Sequence, residues 1–112
     1  MRLIKVAAAA LNQTPLDWEG NAANIRTAIE SARERGAHLL CLPELSITGY
    51  GCEDAFFSHA VIATAERVLA ELLPATKGMA VSFGLPVFHF GALYNCSAFV
   101  VLCLKCSSLC QR

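Results

Sequence analysis

Two apolar runs without alternation, separated by a segment of helical period, constrain this chain more than any other feature. "LIKVAAAAL" at residues 3–11 and "AHLLCLP" at residues 37–43 place apolar side chains at consecutive positions. A strand so patterned is covered on both faces, as in a parallel sheet, rather than half solvated. "NQTPLDWEG" then breaks the first run with Pro15 and Gly20, as a loop does. From about Gly20 to Gly36 the period changes. Ala22, Ile25, Ala28, Ile29 and Ala32 recur at threes and fours, leaving Arg26, Glu30, Arg33 and Glu34 largely opposite. That spacing predicts an amphipathic helix. Asp17 is a candidate N-cap, with Asn21 in competition, and Gly36 is a candidate C-terminal stop.

A second helix is expected from about Ser58 to Leu73. Val61, Ala65, Val68, Leu69 and Leu72 form its inward stripe, and Pro74 sits just past its end. "GMAVSFGLPVFHF" at residues 78–90 reads as a third strand, bent at Gly84 and Pro86. Gly91 and Ala92 can turn the chain into a fourth, "LYNCSAFVVLCL" at residues 93–104. The order is strand, helix, strand, helix, strand, strand. Helical crossovers between strands favour an α/β fold with a parallel or mixed sheet and helices packed against it.

A chain of 112 residues is at most one domain and buries roughly 65% of its unfolded surface. Apolar residues make up 55% of it, enough to fill one core. The formal net charge is zero, which argues against nucleic acid or an anionic membrane as partner. Arg2 and Lys5 followed by the six apolar residues Val6–Leu11 resemble a secretory signal, but the run falls short of the roughly 7–15 such a segment needs. Ala98–Leu104 is likewise too short for a membrane span of about 20 residues. A soluble, cytoplasmic protein is expected.

Six cysteines are many for that compartment. Cys41, Cys52 and Cys96 are scattered, whereas Cys103, Cys106 and Cys110 crowd the end. A disulfide framework would be spread more evenly. The terminal three could offer thiolates to zinc or an iron–sulfur cluster. A structural zinc site needs four ligands, however, and His38, His59 and His89 lack ligand spacing. No metal is expected, and residues 103–112 read as a divergent cysteine-rich tail on a unit of residues 1–102.

Chemistry concentrates in "LCLPELSITGYGCEDAFF", residues 40–57. Glu44 follows a proline at the carboxyl end of the second apolar run. Ligands of open α/β sheets bind beyond the strand ends. Pro43 fixes its own φ and restricts Leu42, so Glu44 leaves the strand on a defined course. Partial burial there would raise its pKa towards the range of a general base. Gly49 and Gly51 permit turns that could hold the Tyr50 hydroxyl near the same pocket. A lone glutamate in a loop is also, commonly, a solvated charge or a cap partner, and Tyr50 an ordinary packing residue. Glu53 and Asp54 read as solvated or as caps of the second helix.

The stretch resembles the signature loop of the nitrilase, or carbon–nitrogen hydrolase, superfamily. Within it, "TGYGCEDAFF" and "GLPVFHFGALYNC" (residues 84–96) resemble the glutaminase domains of glutamine-dependent NAD+ synthetases. The opening strand and "DWEGNAANI", residues 17–25, fit as well, so the likeness covers residues 1–102. It implies an incomplete αββα sandwich, a mixed sheet with two helices on one side. It implies that Glu44 is the general base of a glutamate–lysine–cysteine site acting on L-glutamine, and that Tyr50 lines the glutamine pocket. It places ATP and magnesium in a separate ligase domain that amidates deamido-NAD+, with no cofactor in the amidase domain itself.

The family's lysine and nucleophilic cysteine lie on segments after the fourth strand, and nothing here matches either. Cys41 and Cys52 lack the nucleophile's sequence context, and Lys105 lacks that of the lysine. The change of composition after residue 102 fits a shifted reading frame, a retained intron or an alternative exon. The isolated chain is therefore expected not to hydrolyse glutamine. The alternative function is a non-catalytic module whose uncovered sheet invites self-association or docking to full-length subunits.

Overall fold

The computed structural model describes residues 1–102. The first helical pattern becomes α1, Trp18–Glu34. Asp17 caps it, its Oδ1 accepting the Gly20 N–H at 3.1 Å. Asn21, the competing cap, is instead fully inside. At the other end Gly36 takes φ +75° and its N–H donates to the Arg33 carbonyl at 2.9 Å, a left-handed stop. Arg33 does not stay on the solvent side. Its guanidinium donates to the Lys77 carbonyl at 3.0 Å and to that of Ala75, tying α1 to the stretch after the second helix.

The second pattern becomes α2, His59–Leu72, which buries Ile62, Ala65, Val68 and Leu72. The inward stripe therefore passes through Ile62 rather than Val61, and Leu69 is only half-buried.

The strands are β1 (Val6–Ala8), β2 (Leu39–Cys41), β3 (Ala80–His89) and β4 (Ala92–Val101), in the spatial order β1-β2-β3-β4. β1, β2 and β3 run parallel, joined through helices, and β4 returns antiparallel along β3. The sheet is mixed, as the element order predicts. Ala7, Leu40, Val81 and Val100 stand in one row across it. Joined by Phe83 and Leu85, they pack with Ile25, Ile29 and Ala32 of α1 and Val68 and Leu72 of α2. Both helices thus cover the same face. Burial of each large side chain there contributes roughly 1.5–3 kcal/mol.

The neighbouring row, Val6, Leu39, Ala80 and Val101, points the other way. Val6 is 65% and Val101 60% exposed. The expectation that the first two strands are covered on both faces is therefore corrected. Among the described residues, one face of the sheet has no covering layer. The first run also pairs over three residues only, leaving Leu3 and Ile4 exposed. Unbroken apolarity reported correctly on strand type and wrongly on coverage.

No helix among the described residues is long and apolar enough to cross a membrane. The expectations for Cys103, Lys105, Cys106 and Cys110 lie outside the described residues.

Candidate active site

Beyond β2 the backbone stays against β3, with the Leu42 N–H donating to the Ser82 carbonyl at 3.0 Å. The loop carrying Glu44 then crosses β3 at Gly84. The Ile47 N–H donates to the Gly84 carbonyl, and the Gly84 N–H to Ser46 Oγ, both at 3.2 Å. A Cβ on Gly84 would lie 2.4 Å from the Leu45 nitrogen and 2.6 Å from the Pro43 carbonyl oxygen. Only glycine lets the loop pass so close. The sequence leads one to expect a bend at Gly84; its main use is this close approach.

The second half of the loop is fixed from α1. Asn21, 1% exposed, receives the Thr14 N–H on Oδ1 at 2.9 Å. Its Nδ2 donates to the carbonyls of Thr14 at 2.8 Å and Ile47 at 3.2 Å. Gln13 Nε2 adds a bond to the Ser46 carbonyl at 2.7 Å. Gly49, at φ +81°, brings its backbone so near residue 14 that a Cβ would sit 2.8 Å from the Thr14 carbonyl oxygen. The loop is therefore held from β3 on one side and from residues 13–21 on the other, which over-determines the course of Glu44.

Glu44 lies at the rim of a hollow of about 290 Å³ on the open side of the sheet, shared with Cys41, Ser82, Asn95, Cys96 and Ser97. Its carboxylate accepts two side-chain hydrogen bonds. Tyr50 OH donates to Oε2, and Asn95 Nδ2 to Oε1. The partial burial expected of Glu44 is absent: the residue is exposed, because the face it occupies has no cover among the described residues. Its order comes from hydrogen bonding instead of enclosure.

Tyr50 is also exposed, but its hydroxyl reaches the carboxylate rather than the hollow. The phenol titrates above its ordinary value, first because its proton is bonded to Glu44, then through desolvation and the carboxylate's charge. Tyr50 thus remains a donor across the neutral range.

Cys52 is buried, its thiol against the Thr48 and Gly49 carbonyls at 3.5 and 3.3 Å. Glu53 and Asp54 are exposed on a short 3-10 turn, and His89 is exposed at the end of β3. Among the described residues no group of three or more His, Cys, Asp or Glu side chains could hold a metal ion. Asn95 went unremarked in the sequence. The available signal was an asparagine inside a strand, where that residue is depleted.

The mixed sheet with both helices on one face is the α/β architecture expected from the sequence. A family model, carbon–nitrogen hydrolase, matches residues 5–102. The chain belongs to the carbon–nitrogen hydrolase family.

Within that family it is similar to glutamine-dependent NAD+ synthetases. It is 42% identical over 107 residues to the Arabidopsis thaliana enzyme, covering 94% of this chain and 14% of the relative. The Bos taurus enzyme is 43% identical over 97 residues. Among solved structures, a glutamine-dependent NAD+ synthetase from Cytophaga hutchinsonii superposes with a TM-score of 0.84 at 47% identity, over 87% of this chain and 17% of that one. An amidase from Nesterenkonia sp. superposes with a TM-score of 0.67 at 27% identity, over 75% and 32%. The chain thus spans about one seventh of the length of the curated relatives it matches.

Proposed function

We propose that residues 1–102 supply the general base of a glutamine amidase site, with Glu44 as that base. The observation that carries it is the carboxylate's placement, at a strand end beside a hollow and held by two side-chain donors. In this mechanism Glu44 accepts the proton of a cysteine thiol carried on sequence beyond residue 102. The thiolate attacks the side-chain amide carbon of L-glutamine. Ammonia leaves on the returned proton, and water then cleaves the thioester to glutamate. A lysine, also outside residues 1–102, steadies the oxyanion. Tyr50, through its exposed ring, is the candidate to touch the glutamine. Its hydroxyl, committed to Glu44, is not.

The ammonia serves ATP-dependent amidation of deamido-NAD+ in the cytoplasm, on a separate domain to which ATP and magnesium belong. A mutant of the Nesterenkonia amidase carries the acetamide moiety of fluoroacetamide on its active site cysteine, which supports a nucleophilic sulfur in this family.

The test is a chimera in which residues 1–102 replace the matching segment of the Arabidopsis enzyme. Glutamine-driven NAD+ formation should fall about 10²–10⁴-fold on Glu44→Gln, while the ammonia-driven reaction persists. Equal glutamine turnover in both forms would refute the assignment.

The open sheet face, with Val6, Phe99 and Val101 exposed, favours a second reading of the isolated chain, association with copies of itself or with full-length subunits. Size-exclusion chromatography with light scattering checks it, and a clean monomer counts against it.

A further inference from the structure

We infer that Asn95 is the positioning residue for Glu44, a role that rests on Glu44 being the base. Asn95 lies within β4, opposite Pro86 of β3. Neither preference nor packing accounts for it there. Asparagine is depleted in strands, and this side chain is exposed and not part of the core. What it does make is one bond, from Nδ2 to Glu44 Oε1, across 51 positions of sequence. Tyr50 takes the other oxygen from the Glu44 loop itself. The two donors therefore come from separate elements, and β4 provides the one that does not move with the loop.

The chemistry of the pair suits a base. Each carboxylate oxygen has two acceptor sites, so one hydrogen bond apiece leaves a lone pair free on each. A carboxamide donates without carrying charge. A lysine or arginine in its place would form an ion pair with the carboxylate. Rotation about the last bonds of Glu44 is restricted, while a lone pair on each oxygen stays open. Loss of geometry of about 1 Å at such a group can cost about 100-fold in rate.

Two measurements test the inference. In the isotope-labelled 112-residue chain, the Asn95 carboxamide protons should separate and move as Glu44 ionises, and that movement should vanish in Glu44→Gln. Carboxamide signals indifferent to Glu44 overturn the contact.

In the chimera, Asn95→Ala should lower glutamine-driven kcat about 10–100-fold with KM changed less than about threefold. Asn95→Gln, which keeps the donor, should recover part of the loss. Unchanged kcat in Asn95→Ala, with Glu44→Gln inactive, overturns the positioning role and leaves the base intact. Turnover that survives Glu44→Gln overturns the base and, with it, any catalytic role for Asn95, while the spectroscopic contact would still be seen.

Discussion

Replacing Gly84 by alanine puts one methyl group where the Glu44 loop crosses β3. The added Cβ would meet the Leu45 nitrogen at 2.4 Å, the Pro43 oxygen at 2.6 Å and the Glu44 carbonyl carbon at 2.9 Å, all backbone. None can yield by a rotamer change, so the loop must lift from the strand. Overpacking of this kind costs about 1–3 kcal/mol. The lift also strains the Ile47–Gly84 and Ser46–Gly84 hydrogen bonds, each worth about 1 kcal/mol. The total is on the order of 2–4 kcal/mol. At about 4–8 °C per kcal/mol for a domain of this size, the melting temperature should drop on the order of 8–32 °C.

Gly78→Ala is the control. Gly78 has φ +80° with nothing within 4 Å of a built Cβ, so only the left-handed conformation is penalised, at about 1–2 kcal/mol. Differential scanning calorimetry compares the two. The Asn95 carboxamide signals report on the site, since a lifted loop separates Glu44 from Asn95. A Gly84→Ala chain no less stable than Gly78→Ala would refute the close-approach account.

The Tyr50 phenol should titrate above the ordinary tyrosine value of about 10, chiefly through its bond to Glu44, and fall towards it in Glu44→Gln. The folded chain holds that proton more tightly than the unfolded one. The stability it contributes is therefore complete below the unfolded value and is lost as pH rises through the folded one. Absorbance at alkaline pH reads this, and identical midpoints in both chains would be the adverse result. Asn21→Ala removes three hydrogen bonds that a buried side chain makes to the backbone of Thr14 and Ile47 and should cost about 2–4 kcal/mol in denaturant unfolding; a loss below about 0.5 would remove Asn21 as the loop's anchor. The isolated chain should release no glutamate from glutamine above its Glu44→Gln control, and steady release would contradict the division of the site.

Element type was readable because it depends on local pattern. Ile25, Ile29 and Ala32 at threes and fours can serve only a helix face, and Gly36 only a stop. Coverage was not readable. Val6 and Leu40 look alike in sequence, yet one is 65% and the other 1% exposed, because coverage depends on which layer arrives from elsewhere. Glu44 could be singled out from Pro43 and the strand end. Its enclosure could not, since a carboxylate's burial is decided by residues remote in sequence. The roles of Asn95 and Asn21 are hidden for the same reason: Asn21 looks like a rival cap, yet each acts on the Glu44 loop from a distance in the chain. The use of Gly84 is not legible, because a bend and a close approach leave the same mark in a sequence.

The central claim is that Glu44 takes a proton from sulfur. It is tested most directly by the rate at which a glutamine-like electrophile captures the nucleophilic cysteine of the chimera, followed by intact-protein mass. With Glu44→Gln, capture at neutral pH should slow at least about 100-fold, because the thiol keeps its proton. Capture at the same rate in both proteins would mean that some other group activates the sulfur.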